Sequence, residues 1–273
     1  MKPNLFELTY FETYYFANII NNVLREPFAY LRSLDEFFGD LNYKGFLEPF
    51  PKFSRLHNFI VFMIESINYE EINDREVEAI SNGKRKLWIE VALDHYGFNY
   101  ETFSEWIAQG KRVWENINED DVVEYINELR LSGPYEILLE RMAEEIFFIM
   151  FLNRQTMQHL NQMLAFQISK IDLDELDSDE RHYFRKNGVL KRVDIPMWVQ
   201  RAVLYRDRGM CVNCHKDISG LMNISSIENY DHIVPLAQGG VNDVTNIQLL
   251  CQACNSSKKH QVIETSIKYE RWY

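Results

Sequence analysis

Cys211 and Cys214 form one C-x-x-C knuckle, and Cys251 and Cys254 form a second, with 36 residues between the two. Each knuckle offers two thiolates on a tight turn, and together the four make the closed tetrahedral sulfur set that Zn²⁺ prefers in a structural role. A dithiol redox centre and four unrelated buried thiols are the competing readings; the paired spacing favours one structural zinc. All four cysteines of the chain are then used, and His215, beside Cys214, is not needed as a ligand. The intervening loop is longer than a simple zinc ribbon requires, so further chemistry is expected inside it.

That loop contains Tyr230-Asp231-His232-Ile233-Val234-Pro235, then Gly239-Gly240, then Asn246, and Asn255 directly follows the last cysteine. Hydrolysing a phosphodiester needs an activated water, charge stabilisation at phosphorus and help for the departing 3′ oxygen. His232 has the side chain whose ordinary pKa suits a base near neutral pH. Asp231 and Asn255 offer hard oxygens, which suit Mg²⁺, Mn²⁺ or a similar divalent ion and leave positions open for water and phosphate. Asp231 and His232 are successive strand residues on opposite faces, and Asn255 on the following helix can approach one of them.

These residues resemble the HNH endonuclease family in its four-cysteine branch, whose pattern runs RDxxxCxxC, DHIxPxxxGG, N and CxxCNxxK. The match is Arg206-Asp207, Cys211, Cys214, Asp231-His232-Ile233, Pro235, Gly239-Gly240, Asn246, Cys251, Cys254-Asn255 and Lys258, about the last third of the chain. The resemblance implies a ββα-metal fold in which His232 is the general base. It also implies that Asp231 and Asn255 hold one catalytic divalent ion and that Asn246 braces the loop carrying the histidine. Asn255 stands where many relatives have histidine, which bears on the choice of metal.

Lys258, Lys259 and His260 follow on the same helix, and Lys191, Arg192, Arg201, Arg206 and Arg208 precede the first knuckle. Lys258, Lys259, Arg206 and Arg192 are the expected phosphate contacts, which position a backbone without reading sequence; solvated helix faces are the alternative for each. Asp94-His95 repeats the DH dipeptide without knuckle or asparagine context, and His57 and His159 read as packing or surface residues. The triplet Lys84-Arg85-Lys86 reads as a solvated turn beside Asn82 and Gly83, and the aromatic-rich start of the chain as core or an apolar partner surface.

The elements that must position this set are mainly helical. From Leu5 to about Phe166 apolar residues recur at spacings of three and four, with one helix over Phe53–Ile67 and a long one from Pro134 to Leu164. The run Asp172–Glu180 has six acids and no base, and reads as a linker. A basic amphipathic helix is expected from Met197 to Asp207, stopped by Gly209, then strands at Ile227–Val234 and Ile247–Leu250 and a helix from Gln252 to about Ile263. The expected architecture is mainly α: a helical domain (1–171), an acidic linker (172–187) and a small α+β HNH domain (188–273) with a four-cysteine zinc site.

Charge divides the same way: residues 1–185 carry a net of −15 and residues 186–273 a net of +3. Only the C-terminal third has the potential that a phosphate backbone needs. Composition, 46% hydrophobic, excludes a disordered chain, and the longest purely apolar run, Ile146 to Leu152, is too short for a membrane span. Glu7 and Glu12 precede any sustained apolar run, so no export signal is expected and a reducing, cytoplasmic setting follows. The expected function is metal-dependent DNA cleavage with little sequence specificity, as a bacterial anti-phage defence or restriction effector. The helical domain then serves partner binding, self-association or control. A catalytically silent zinc module that binds nucleic acid or a protein is the alternative.

Overall fold

Spacings of three and four apolar residues wind into helices through most of the N-terminal half. They are α1 (Thr13–Arg25), α2 (Arg55–Glu71), α3 (Asp74–Ser81), α4 (Trp88–His95), α5 (Phe103–Gln109), α6 (Glu119–Ser132) and α7 (Pro134–Met150). The computed structural model describes residues 7–30, 34, 36–38, 47–83, 85–110, 112–219 and 229–269. Lys84 of the basic triplet and the first two residues of the strand expected from Ile227 lie outside them. The chain divides into two units, residues 1–20 with 59–147 and residues 21–58 with 148–273. Among the described residues no helix is long and apolar enough to cross a membrane.

In the first unit helix starts are set by side chains that accept the orphan amide protons of the first turn. Asn73 caps α3, Thr102 with Glu105 forms a capping box on α5, and Asn118 with Asp121 does so on α6. Phe103 stacks on Trp106, and Tyr125 of α6 packs tilted against both rings. Glu145 is fully buried; its carboxylate accepts from the Thr9 and Tyr10 amides at 2.5 and 2.9 Å and from the Tyr96 hydroxyl at 2.9 Å. Asp94 is held by Lys86 and Tyr100, and His95 packs against Phe11, so this second DH dipeptide is tied up in local structure.

The second unit contains α8 (Arg154–Ile168), α9 (Ser178–Arg181), α10 (Met197–Arg206) and α11 (Gln252–Lys258), with strands β1 (Phe184–Lys186), β2 (Val189–Leu190), β3 (Tyr230–His232) and β4 (Ile247–Leu249). The long helix expected from Pro134 ends at Met150 and restarts at Arg154. Asn153 turns its side chain onto the amides of Gln155 and Thr156, a cap hidden inside an unbroken apolar period. The acidic run is structured: Asp172 accepts from the Asp174 amide and the Asn187 side chain, Asp177 and Glu180 box α9, and β1 pairs with β2. Asp172, Asp177 and Glu180 serve in caps, and Leu176 is the apolar side chain that the run buries. Strands β3 and β4 pair antiparallel, with Tyr230 opposite Leu249, Asp231 opposite Gln248 and His232 opposite Ile247. Helix α11 follows β4, completing the expected β, β, α order, and stops at Lys259, whose φ of 54° leaves the helical region.

Candidate active site and metal centre

The two knuckles meet as their spacing predicts. The Sγ atoms of Cys211, Cys214, Cys251 and Cys254 all lie within 4.8 Å of one another, and Cys214 and Cys251 are 3.7 Å apart. A tetrahedron with Zn–S bonds of about 2.3 Å has edges of about 3.8 Å, so the donor set fits one zinc ion. The first knuckle is held by β4, where Leu249 O accepts Val212 N–H at 2.9 Å, and Cys251 of the second stands at the N-cap position of α11. Val212 and Leu250 form the buried floor beneath the sulfurs.

Alternation along β3 separates Asp231 from His232. Asp231 is half-buried and faces α11, whereas His232 is 2% exposed. The His232 ring meets Asn242 Oδ1 through Nε2 at 3.2 Å, and Asn242 Nδ2 donates to Lys191 O at 2.9 Å. Because the amide nitrogen of Asn242 is turned to a carbonyl, its oxygen faces the imidazole. Nε2 is therefore the protonated nitrogen and Nδ1 the basic one. Burial pushes the His232 pKa down to about 4; Asn242 and Asp231 raise it, and the charges of Arg192 and Lys258 lower it further. The ring is neutral at pH 7.

Asn246, fully buried, closes the loop after β3. Its side chain accepts from Val234 N–H at 2.9 Å and donates to Val234 O and Val241 O at 3.0 and 2.8 Å. Three bonds from one amide fix residues 234–241 as a rigid bridge. The paired glycines inside it meet close backbone. A Cβ at Gly240 would collide with Val234 O, and one at Gly239, where φ is +84°, would collide with Ala165 O of α8.

Asn255 sits half-buried on the first turns of α11, one helical turn before Lys258. Residues three apart share a helix face, and Lys258 reaches Asp231, so Asn255 lies on the stripe of α11 that faces β3.

Two of the expected phosphate contacts, Lys258 and Arg206, are buried in the structure. Lys258 is 3% exposed, and its Nζ donates to Asp231 Oδ2 at 2.5 Å and to His232 O. Burial lowers its pKa while Asp231 raises it. Arg206 is turned inward as well: it binds both oxygens of Asp207 at 2.8 and 2.9 Å and donates to Ile247 O, with no side-chain surface exposed. Asp207 in turn accepts Leu249 N–H at 2.9 Å, so the Arg-Asp pair staples α10 to β4. A basic residue on the last turn of a helix looks solvated in sequence; here the strand next to it takes the charge. Arg192 and Lys259 are exposed.

Sequence reasoning passed over the run Val241 to Thr245 as loop, yet it supports the whole site. Asn242 holds His232, and Phe50 N–H donates to Asn242 O at 2.8 Å. The fully buried Asp243 accepts Arg55 N–H at 3.0 Å at the start of α2, and also Thr245 Oγ at 2.7 Å. Asn161 of α8 donates to Thr245 Oγ at 3.1 Å. A polar run directly after two glycines and before a buried strand was the available signal.

A family model described as HNH endonuclease matches residues 211–269. Comparison with curated proteins found no match, and neither did comparison with solved structures. Residues 211–269, with their four-cysteine zinc site and their ββα core, form an HNH endonuclease domain at the C-terminal end of this mainly helical chain.

Proposed function

We propose that this protein is a metal-dependent endonuclease that hydrolyses DNA phosphodiester bonds. The observation that carries the proposal is the pair of adjacent β3 residues, a neutral His232 locked by Asn242 and an Asp231 carboxylate facing the α11 stripe that bears Asn255. His232 Nδ1 takes a proton from water as the water oxygen attacks phosphorus. The bond from phosphorus to the 3′ oxygen breaks, leaving a 5′ phosphate and a 3′ alkoxide that takes a proton from solvent to become the hydroxyl. Asn242 keeps the ring in the tautomer that can accept, and Asn246 keeps the loop from carrying the strand away. Asp231 and Asn255 are the residues to hold a divalent ion such as Mg²⁺, which when bound supplies charge stabilisation at the phosphate and the leaving oxygen. The exposed Arg192 and Lys259 are the remaining candidates for phosphate contact.

Readout of base edges is not part of the proposal, so sequence specificity is low. The acidic helical portion, residues 1–171, serves as a control or partner-binding element, and the setting is cytoplasmic, in bacterial defence or restriction. One feature favours a second reading, a silent zinc module that binds nucleic acid: Lys258 occupies the carboxylate that the divalent ion needs.

Nicking of supercoiled plasmid by the full chain, compared with His232→Ala, in Mg²⁺, Mn²⁺ or no added divalent ion, separates the two. Metal-dependent nicking lost in the variant supports the nuclease; plasmid binding without nicking in any metal supports the silent module.

A further inference from the structure

Beside the first cysteine knuckle the second unit contains a cavity of about 200 Å³, bounded by the N-terminus of α8 and by the tail after α11. Arg154, Arg208, Lys268 and His215 line it, with Asp207 as the one acid in its lining. That acid is already engaged, since both of its oxygens are bound by Arg206 and one also accepts Leu249 N–H. Three permanent cations therefore line one small cavity whose own carboxylate is committed elsewhere. Arg154 is also the first residue of a 15-residue helix, whose N-terminal end adds partial positive charge.

Arg154 is the buried one of these three cations, at 3% exposed. Its guanidinium lies 4.1 Å from the Tyr269 ring and donates through Nη2 to Lys268 O, while Nε is buried with no hydrogen-bond partner among the described residues. A buried charged donor left unsatisfied costs free energy that a bound acceptor would recover. Arg208 lies 5.9 Å from the same ring, so both guanidinium groups are arranged around one aromatic ring. Lys268 and Tyr269 are exposed, which leaves the cavity open on the side of the tail. Its volume holds roughly six waters, room for a tetrahedral anion with part of its hydration.

We propose that this cavity binds a phosphate group, with Arg154 at its floor, Arg208 at its side and Lys268 at its mouth. The phosphate belongs either to a nucleic-acid backbone or to a free mononucleotide, and the two sources are separated by probe. The test uses the full, zinc-loaded chain and the double variant Arg208→Gln/Lys268→Gln, whose zinc content and melting temperature report that it is folded. A short labelled DNA duplex is titrated over a salt series without added divalent ion, and inorganic phosphate and AMP are titrated calorimetrically.

For a backbone phosphate, the double variant binds duplex about tenfold more weakly and its log–log salt slope falls by about 1. For a free phosphate, inorganic phosphate or AMP binds the wild type and not the variant, with duplex affinity unchanged. Identical behaviour of the two proteins toward all three probes, binding or none, overturns the site. None of these readouts depends on cleavage, so the result is independent of whether His232 acts as a base.

Discussion

Lys258 Nζ lies 2.5 Å from Asp231 Oδ2, and the lysine side chain is almost wholly buried in making that contact. The carboxylate proposed to hold a divalent ion is thus already paired with a cation of the protein itself. An incoming ion must displace the ammonium or share the carboxylate with it.

Lys258→Met removes that competitor. We expect its Mn²⁺ dissociation constant to fall about tenfold, because a unit charge a few ångströms away is worth more than one power of ten even at an effective dielectric constant of about 20. Calorimetric titration of the zinc-loaded protein measures it, and Asp231→Asn in the same background should abolish the gain. Equal Mn²⁺ affinity in wild type and variant contradicts the expectation.

Asn242→Ala should lower kcat about a hundredfold with little change in KM, since it frees the His232 ring without touching groups proposed to contact substrate. Proton-detected nitrogen spectra of the imidazole supply the discriminating readout: the wild type shows Nε2 protonated, and the variant shows mixed tautomers. A variant that keeps the single tautomer rules out the positioning role.

Stability in mild acid should depend on His57. Its Nδ1 accepts the Ser54 amide at 2.9 Å, and burial pushes its pKa down to about 3. A histidine whose folded pKa lies below its unfolded value near 6.5 costs no stability above that value. Below it, stability falls by about 1.4 kcal/mol per pH unit until the folded pKa is reached. Wild type should therefore lose about 2 kcal/mol more than His57→Gln between pH 7 and pH 5, by urea denaturation with matched zinc content. Parallel losses in both proteins would remove His57 as the cause.

The HNH segment should not stand alone. Asp243 and Thr245 are satisfied by Arg55 and Asn161, both outside residues 188–273. In that fragment Asp243 loses the α2 amide, a hydrogen bond to a charged group of the kind worth about 1.5–3 kcal/mol, and Thr245 loses Asn161. We expect the fragment to bind zinc but to show no cooperative thermal unfolding, whereas the full chain does. A sharp melt from the fragment refutes the dependence.

Cys254→Ser should reduce bound zinc, measured by elemental analysis, from about one per chain to a loosely held fraction, and lower the melting temperature by more than about 10 °C. The loss follows because the same four sulfurs tie α11 to the knuckle before β3.

What the sequence made legible was chemistry with a fixed spacing. The two C-x-x-C knuckles and the β, β, α order rest on local pattern, and the structure realises both. Charge was harder. Lys258 and Arg206 look like surface cations in sequence, because nothing local announces that Asp231 will meet the first in the interior or that β4 will bury the Arg206-Asp207 pair. The helix break at Asn153 was masked by the apolar period that continues on both sides of a local cap, whereas Arg55 as partner of Asp243 was invisible because only folding brings the two together.

The bond from Arg55 N–H to Asp243 spans 188 positions of the chain. Closing so long a loop is entropically slow and must wait for both ends to exist. During synthesis, residue 55 leaves the ribosome long before residue 243, and the last zinc ligand later still. The segment around His232 therefore acquires its support only after residue 243 and the last zinc ligand have emerged, and a product truncated before them carries a histidine with no rigid seat. For the nuclease proposed above, that order keeps the site unassembled until the support at residue 243 has emerged.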